Sequence, residues 1–196
     1  MDNLDYNGER SLDLLHKSAE LFFDFGFMAT TMSQIAESMS LTKAGLYHYT
    51  RSKSELLFNV LSFAMDMVET GIVTPASRIE DPEERLEFMI RRHLRLITEH
   101  GGRLTIVFDE ARHLPDPMKG MIQDRQSAYF ELVRATLSDI KTRDRTRLKS
   151  PQISAAFILM TIEASARWLM DVEDVDQDFL IDQTARYILG GIKNTV

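Results

Sequence analysis

The stretch TTMSQIAESMSLTKAGLYHYTRSKSELL, Thr30 to Leu57, sets three helix starts within fewer than thirty residues. Thr31 has a capping side chain and Gln34 follows three residues later, the pattern of a reciprocal N-terminal cap. Thr42 is a second cap. Ser52 with Glu55 is a third, opening a helix that runs towards Val73. Caps this closely spaced leave room only for short helices, with Ser40-Leu41 as the turn between the first two. Two short helices around a tight turn outline a helix-turn-helix. Lys53 poses a question of its own. It is a cation at the start of a helix, where the exposed N–H groups favour anions.

The pattern elsewhere is helical nearly throughout. Leu14, Leu15, Ala19, Phe22 and Phe23 recur at three and four, one face of a helix over Arg10–Phe25 that Gly26 ends. After Pro75, the spacing predicts helices near Pro82–His100, Arg103–Leu114, Met118–Lys141, Pro151–Asp171 and Phe179–Ile192. Between them lie a Gly-Gly pair, LPDP and two charged stretches. No strand alternation persists, so the fold class expected is all-α.

Composition narrows the function. The 196-residue chain has no cysteine, which excludes disulfides, thiolate metal sites and cysteine nucleophiles. The N-terminus MDNLDYNGER has no apolar signal core. No uninterrupted apolar run approaches the roughly 20 residues that span a bilayer. A cytoplasmic protein without a membrane partner is expected. The net charge of −7 argues against indiscriminate binding to polyanions. Yet Lys43, Arg51 and Lys53 have no acid among them from Lys43 to Lys53, a local cationic patch.

That patch lies where a DNA-reading helix would be. Such a helix brings its N-terminal residues to base edges in the major groove. Thr42, Lys43, Ala44 and Gly45 are small or polar, with one long donor. Gly45 sits mid-helix at a cost of about 1 kcal/mol relative to alanine, which makes sense if a side chain there would collide with a groove. Leu46 points to the core. Tyr47 and His48 offer donors to phosphate oxygens. Thr31 and Lys53 lie at two other helix starts, so the anion awaited by Lys53 is expected to be a DNA phosphate. Singly, each residue also has a plainer reading, as an exposed lysine, a half-buried tyrosine or a surface histidine. The arrangement carries the case.

The segment SAELFFDFGFMATTMSQIAESMSLTKAGLYHYTRSKSELL resembles the tetracycline-repressor (TetR) family of transcriptional regulators. Thr42, Lys43, Leu46, Tyr47, His48, Ser52 and Lys53 fall on positions of that family's recognition segment. The resemblance implies a three-helix DNA-binding module and a C-terminal helical domain for ligand binding and dimerisation. Expected divisions are a flexible arm at 1–9, a DNA-binding domain at 10–57 and the second domain at 58–196. It also implies a homodimer on a double-stranded operator with two half-sites, a small effector and no cofactor. Three departures stand out. Ser40 occupies a turn position that is usually glycine, so it is expected in a strained conformation. Thr50 replaces an apolar residue, so looser packing is expected. Asp2 and Asp5 make a basic minor-groove arm unexpected.

The helix Ile153–Leu169 has two apolar sides and needs burial on both. Phe157, Met160, Ala164 and Trp168 lie on one side, and Ala155, Leu159, Ile162, Ala166 and Leu169 on the other. The second side is expected at a dimer interface, together with Leu180, Ile188 and the Gly190-Gly191 pair of the last helix. The first side is expected to line an effector pocket with Met65, Phe108 and Phe130, and with Arg112 and Arg125 as polar anchors; Arg167 either joins them or pairs with Glu163 one turn away. FDEARHL, Phe108–Leu114, reads by itself as a charged surface helix with internal pairs, and it also resembles a segment of TetR-type regulators of lipid and acyl-CoA metabolism. That implies an acyl chain among the apolar residues and a phosphorylated head near Arg91, Arg92, Arg95 or Arg125.

Two other classes compete. Glu110-Ala-Arg-His113 is the unit from which helical di-iron enzymes are built, but such a site needs a second copy, and the chain has none. No metal site is therefore expected, and no Gly-rich phosphate loop or nucleophile elbow occurs to suggest another enzyme. A helical small-molecule-binding protein without DNA binding is the other alternative, permitted by Ser40 and Thr50. The expected function is a ligand-responsive transcriptional regulator, a repressor released by a small apolar or acyl-CoA effector.

Overall fold

The computed structural model describes residues 8–100, 110–144, 148–170 and 176–193, without the side chains at 144, 166, 167, 169, 170 and 193. Among the described residues every regular element is helical. They form two compact units, one of Met1–Met65 with Ile106–Asp124, the other of Asp66–Thr105 with Arg125–Val196.

In the first unit, α1 (Glu9–Phe25) buries Leu14, Leu15, Ala19 and Phe22, the stripe the sequence spacing predicts. It stops at Gly26, whose φ of 77° suits a residue without Cβ. α2 (Met32–Ser38) and α3 (Lys43–Leu46) follow. Their cores are Ile35, Ala36 and Leu46, all nearly inaccessible. The third helix start, at Ser52, opens α4 (Lys53–Val68). The same unit includes Ala111–His113, a single tight 3-10 turn, and the first residues of α7 (Asp116–Asp144). The expected helix Arg103–Leu114 falls largely outside the described residues.

The α4 helix continues through a five-residue π-helical stretch, Glu69–Val73, into α5 (Thr74–Ala76). By length and composition Lys53–Ala76 is apolar enough to cross a membrane. Its Leu56, Leu57, Leu61, Ala64, Ile72 and Ala76 are instead buried within the protein.

In the second unit, α6 (Pro82–Glu99) packs against both α8 (Pro151–Met170) and α9 (Gln177–Lys193). The α6 stripe Leu86, Met89, Ile90, His93, Leu94 and Ile97 is buried. The buried positions Tyr129, Val133, Leu137 and Ile140 on α7 recur at helical spacing. Two polar groups in these stripes meet. The Tyr129 hydroxyl lies 3.1 Å from His93 Nδ1, and the rings pack edge to face. Burial lowers the His93 pKa to about 4 and raises that of Tyr129.

Candidate nucleic-acid interface

Each helix start is held by its expected cap. Gln34 N–H donates to Thr31 Oγ1 at 3.3 Å, and Thr31 N–H to Gln34 Oε1 at 2.8 Å. Gly45 N–H donates to Thr42 Oγ1 at 3.0 Å. Glu55 N–H donates to Ser52 Oγ at 3.0 Å, while the Glu55 carboxylate accepts from the Arg51 N–H. These bonds satisfy N–H groups that a helix start leaves open, and fix where the two short helices begin.

Leu46 anchors α3 in the core at 0% exposure, and Thr42, Lys43, Ala44, Tyr47 and His48 all face solvent. All five of these expected interface residues are therefore open to solvent. Thr31, at the start of α2, is also exposed. Gly45 behaves differently. It is half-buried, and a Cβ built on it would come within 3.3 Å of the Thr42 cap oxygen and 3.8 Å of Leu41. The absence of a side chain there protects the cap, so a groove collision is not needed to explain it.

Lys53 is the clearest correction. Its ammonium donates to the carbonyl oxygens of Phe27 at 2.8 Å, Met28 at 3.3 Å and Thr30 at 2.7 Å. It also lies 4.5 Å from the centroid of the Phe27 ring. An ammonium has three donors, and all three point at main-chain oxygens just after α1. Lys53 stands at the unfavourable end of its own helix because it neutralises the carbonyl-rich exit of another. Sequence reading missed this, since the partners lie 23 to 26 positions away.

Ser40 has a φ of 53°, as expected for a non-glycine at this turn. Thr50 departs from expectation. It is only 3% exposed, and its hydroxyl reaches the Ser52 carbonyl at 3.0 Å and the Glu55 carboxylate at 3.3 Å. A satisfied hydroxyl takes the place of an apolar contact, so the helix end is tied rather than loose.

The two sides of α8 are turned opposite to expectation. Ala155, Leu159 and Ile162, expected at the dimer interface, are 0%, 9% and 1% exposed and belong to the core. Phe157, Met160 and Trp168, expected in the pocket, are 63%, 63% and 53% exposed. Periodicity reveals two apolar stripes on a helix but not which one meets its own core. Residue type does carry a signal, because aromatic residues and methionine concentrate at interfaces. On α9, Ile188 is buried and Leu180 half-buried, while Phe179 and Tyr187 are exposed. An open apolar trough of about 850 Å³, lined by Ile153, Phe157, Ile158, Tyr187, Ile188 and Gly191, runs between α8 and α9.

Of the remaining pocket expectations, Arg91, Arg92 and Arg95 line one open cleft of about 460 Å³ with Glu84, Glu87 and Phe88. Met65 is buried and Phe130 half-buried. Arg125 pairs with Asp66 at 2.7 Å. Arg91 pairs with Glu87 and Asp182, Arg92 with Glu99, and Arg95 with Asp178. Arg112 donates to His113 at 3.2 Å. Phe108 and the side chains of Ala166 and Arg167 lie outside the described residues. Glu110 Oε2 lies 3.4 Å from His113 Nε2, and among the described residues no cluster of three or more metal-binding side chains occurs.

A capped helix pair with one small polar face, set in an all-helical chain with a second helical unit, defines a helix-turn-helix DNA-binding regulator. Residues 14–60 match the model for bacterial regulatory proteins of the tetR family, and residues 80–192 match the tetracyclin repressor-like C-terminal domain. The chain belongs to the TetR family. It is 29% identical over 185 residues to the transcriptional repressor KstR2 of Mycobacterium tuberculosis strain H37Rv, covering 92% of this chain and 91% of the relative. It is 22% identical over 188 residues to the transcriptional activator FasR of Mycolicibacterium smegmatis, covering 95% and 84%. Among solved structures, AibR in complex with isovaleryl coenzyme A and operator DNA superposes with a TM-score of 0.83 at 26% identity, covering 91% of this chain and 97% of AibR.

Proposed function

We propose that this regulator binds an inverted-repeat operator as a homodimer, represses transcription, and releases DNA when an acyl-CoA binds. It acts in the cytoplasm by binding and not by catalysis. Repression is the direction of the 29%-identical relative KstR2. The acyl-CoA assignment is supported by the likeness to AibR over 91% of this chain. DNA contact is assigned to Thr42, Lys43, Ala44, Tyr47 and His48, with Lys43 reading a base and Tyr47 and His48 holding phosphates.

The observation that carries the dimer is the stripe Ile153, Phe157, Met160 and Trp168, each more than half exposed on one face of α8. A contiguous apolar face of this kind needs a cover. A second copy supplies it, because the same stripe meets itself across a two-fold axis. A two-fold dimer also explains an operator of two half-sites, with recognition helices about 34 Å apart. The effector acts by favouring a state in which that spacing is lost, which requires different affinities for the two states.

Operator binding titrated with acyl-CoAs of several chain lengths, alongside free coenzyme A, tests the reading. At least one thioester should release the operator and raise the melting temperature. Unchanged DNA affinity with every thioester overturns the acyl-CoA assignment and leaves the regulator assignment standing.

A further inference from the structure

The segment Glu110–Leu114 lies more than fifty positions beyond the helix-turn-helix, yet it belongs to the same compact unit. Ala111 and Leu114 are buried at 4% and 5% exposure. Between them, the His113 imidazole stacks on the Phe27 ring, with centroids 5.7 Å apart and planes inclined by 23°. Phe27, itself 5% exposed, is the ring beside which the Lys53 ammonium sits.

These contacts form a connected series. His113 holds Phe27. Phe27 supports Lys53, and Lys53 gathers the carbonyls of Phe27, Met28 and Thr30. Thr30 precedes Thr31, the cap that fixes the start of α2. The imidazole edge is also engaged, since Nε2 accepts from Arg112 Nε at 3.2 Å and lies 3.4 Å from Glu110 Oε2. That carboxylate oxygen is buried and makes no hydrogen bond among the described residues. It sits beside the ring that braces Phe27. Nothing in this series touches the DNA-facing surface of α3, so it acts on the placement of the helix pair and not on its chemistry.

We propose that His113 is a positioning residue for DNA binding: by stacking on Phe27 it fixes the Lys53-bound turn that leads into α2. A change in the Glu110–Leu114 segment is then transmitted to the helix pair without any change in the residues that meet DNA. The inference rests on the DNA-binding assignment above.

His113→Ala and His113→Phe in the full-length protein, compared with wild type, test it by two readouts. The first is affinity for the DNA selected by the wild-type protein. The second is amide hydrogen exchange across Met32–Leu46. His113→Ala should lower affinity about five- to tenfold, the size of one aromatic pair, and speed exchange in α2. His113→Phe, which keeps a flat ring against Phe27, should restore both. Wild-type behaviour of His113→Ala, or equal damage from both variants, overturns the proposal. Failure of the wild-type protein to select any DNA instead overturns the DNA-binding assignment, and the exchange measurement still decides the bracing of α2.

Discussion

The Lys53 ammonium donates to the Thr30 carbonyl oxygen at 2.7 Å, tying the first residue of α4 to the residue just before the α2 cap. With the Phe27 and Met28 carbonyls also bound, the lysine is a structural cation. Lys53→Ala should therefore destabilise the protein by about 2 kcal/mol, typical for hydrogen bonds to a charged group. Its effect on the salt dependence of DNA binding should be small. Lys43→Ala, at an exposed position, should leave stability unchanged and reduce the salt slope by about 1 or shift sequence preference. Denaturant melts and salt-titrated binding of both variants check this. A full-unit slope change for Lys53→Ala at unaltered stability contradicts it.

Ser40 offers a simpler test. A serine with a φ of 53° is held where glycine is at ease. Ser40→Gly should stabilise the protein by about 1 kcal/mol through relief of that strain. No rise in denaturation midpoint argues that the turn is already relaxed by other contacts.

The ease of reading Ser40 and the difficulty of reading Lys53 mark what local sequence carries. Caps, the turn and the α1 stripe depend on residues within four positions, so Thr31, Thr42, Ser52 and Gly26 were all legible. The Lys53 contacts, the His113–Phe27 stack and the His93–Tyr129 pair join residues 23 to 86 positions apart, and no local spacing encodes them. The α8 helix is intermediate. Both stripes were visible, but their assignment needed the packing of Ala155 into the core.

That assignment yields a third expectation. Phe157→Glu with Met160→Glu places charge on the exposed α8 stripe without entering the core. The double variant should sediment as a folded monomer and lose operator binding, because a charged interface centre is desolvated without a partner. An unchanged dimer places the interface elsewhere.

His93 predicts a pH dependence. Its folded-state pKa, near 4, lies below the ordinary 6.5 because the ring is buried. As pH falls below 6.5 the unfolded chain takes up the proton first. The stabilisation is complete above that value and is lost progressively down to about pH 4. The loss from this residue is on the order of 3 kcal/mol. Replacing the pair together, His93→Phe with Tyr129→Phe, avoids an orphaned hydroxyl and should flatten this part of the stability profile. An equally steep profile in the double variant assigns the acid sensitivity to other groups.

Selection of bound DNA from a random pool by the full-length protein addresses the whole account most directly. The exposed face of α3 and the proposed two-fold dimer through the α8 stripe predict enrichment of an inverted repeat. Its half-site centres should be spaced by about one helical turn, or a multiple of it. Enrichment of a single asymmetric site, or of no sequence, contradicts a dimeric helix-turn-helix regulator.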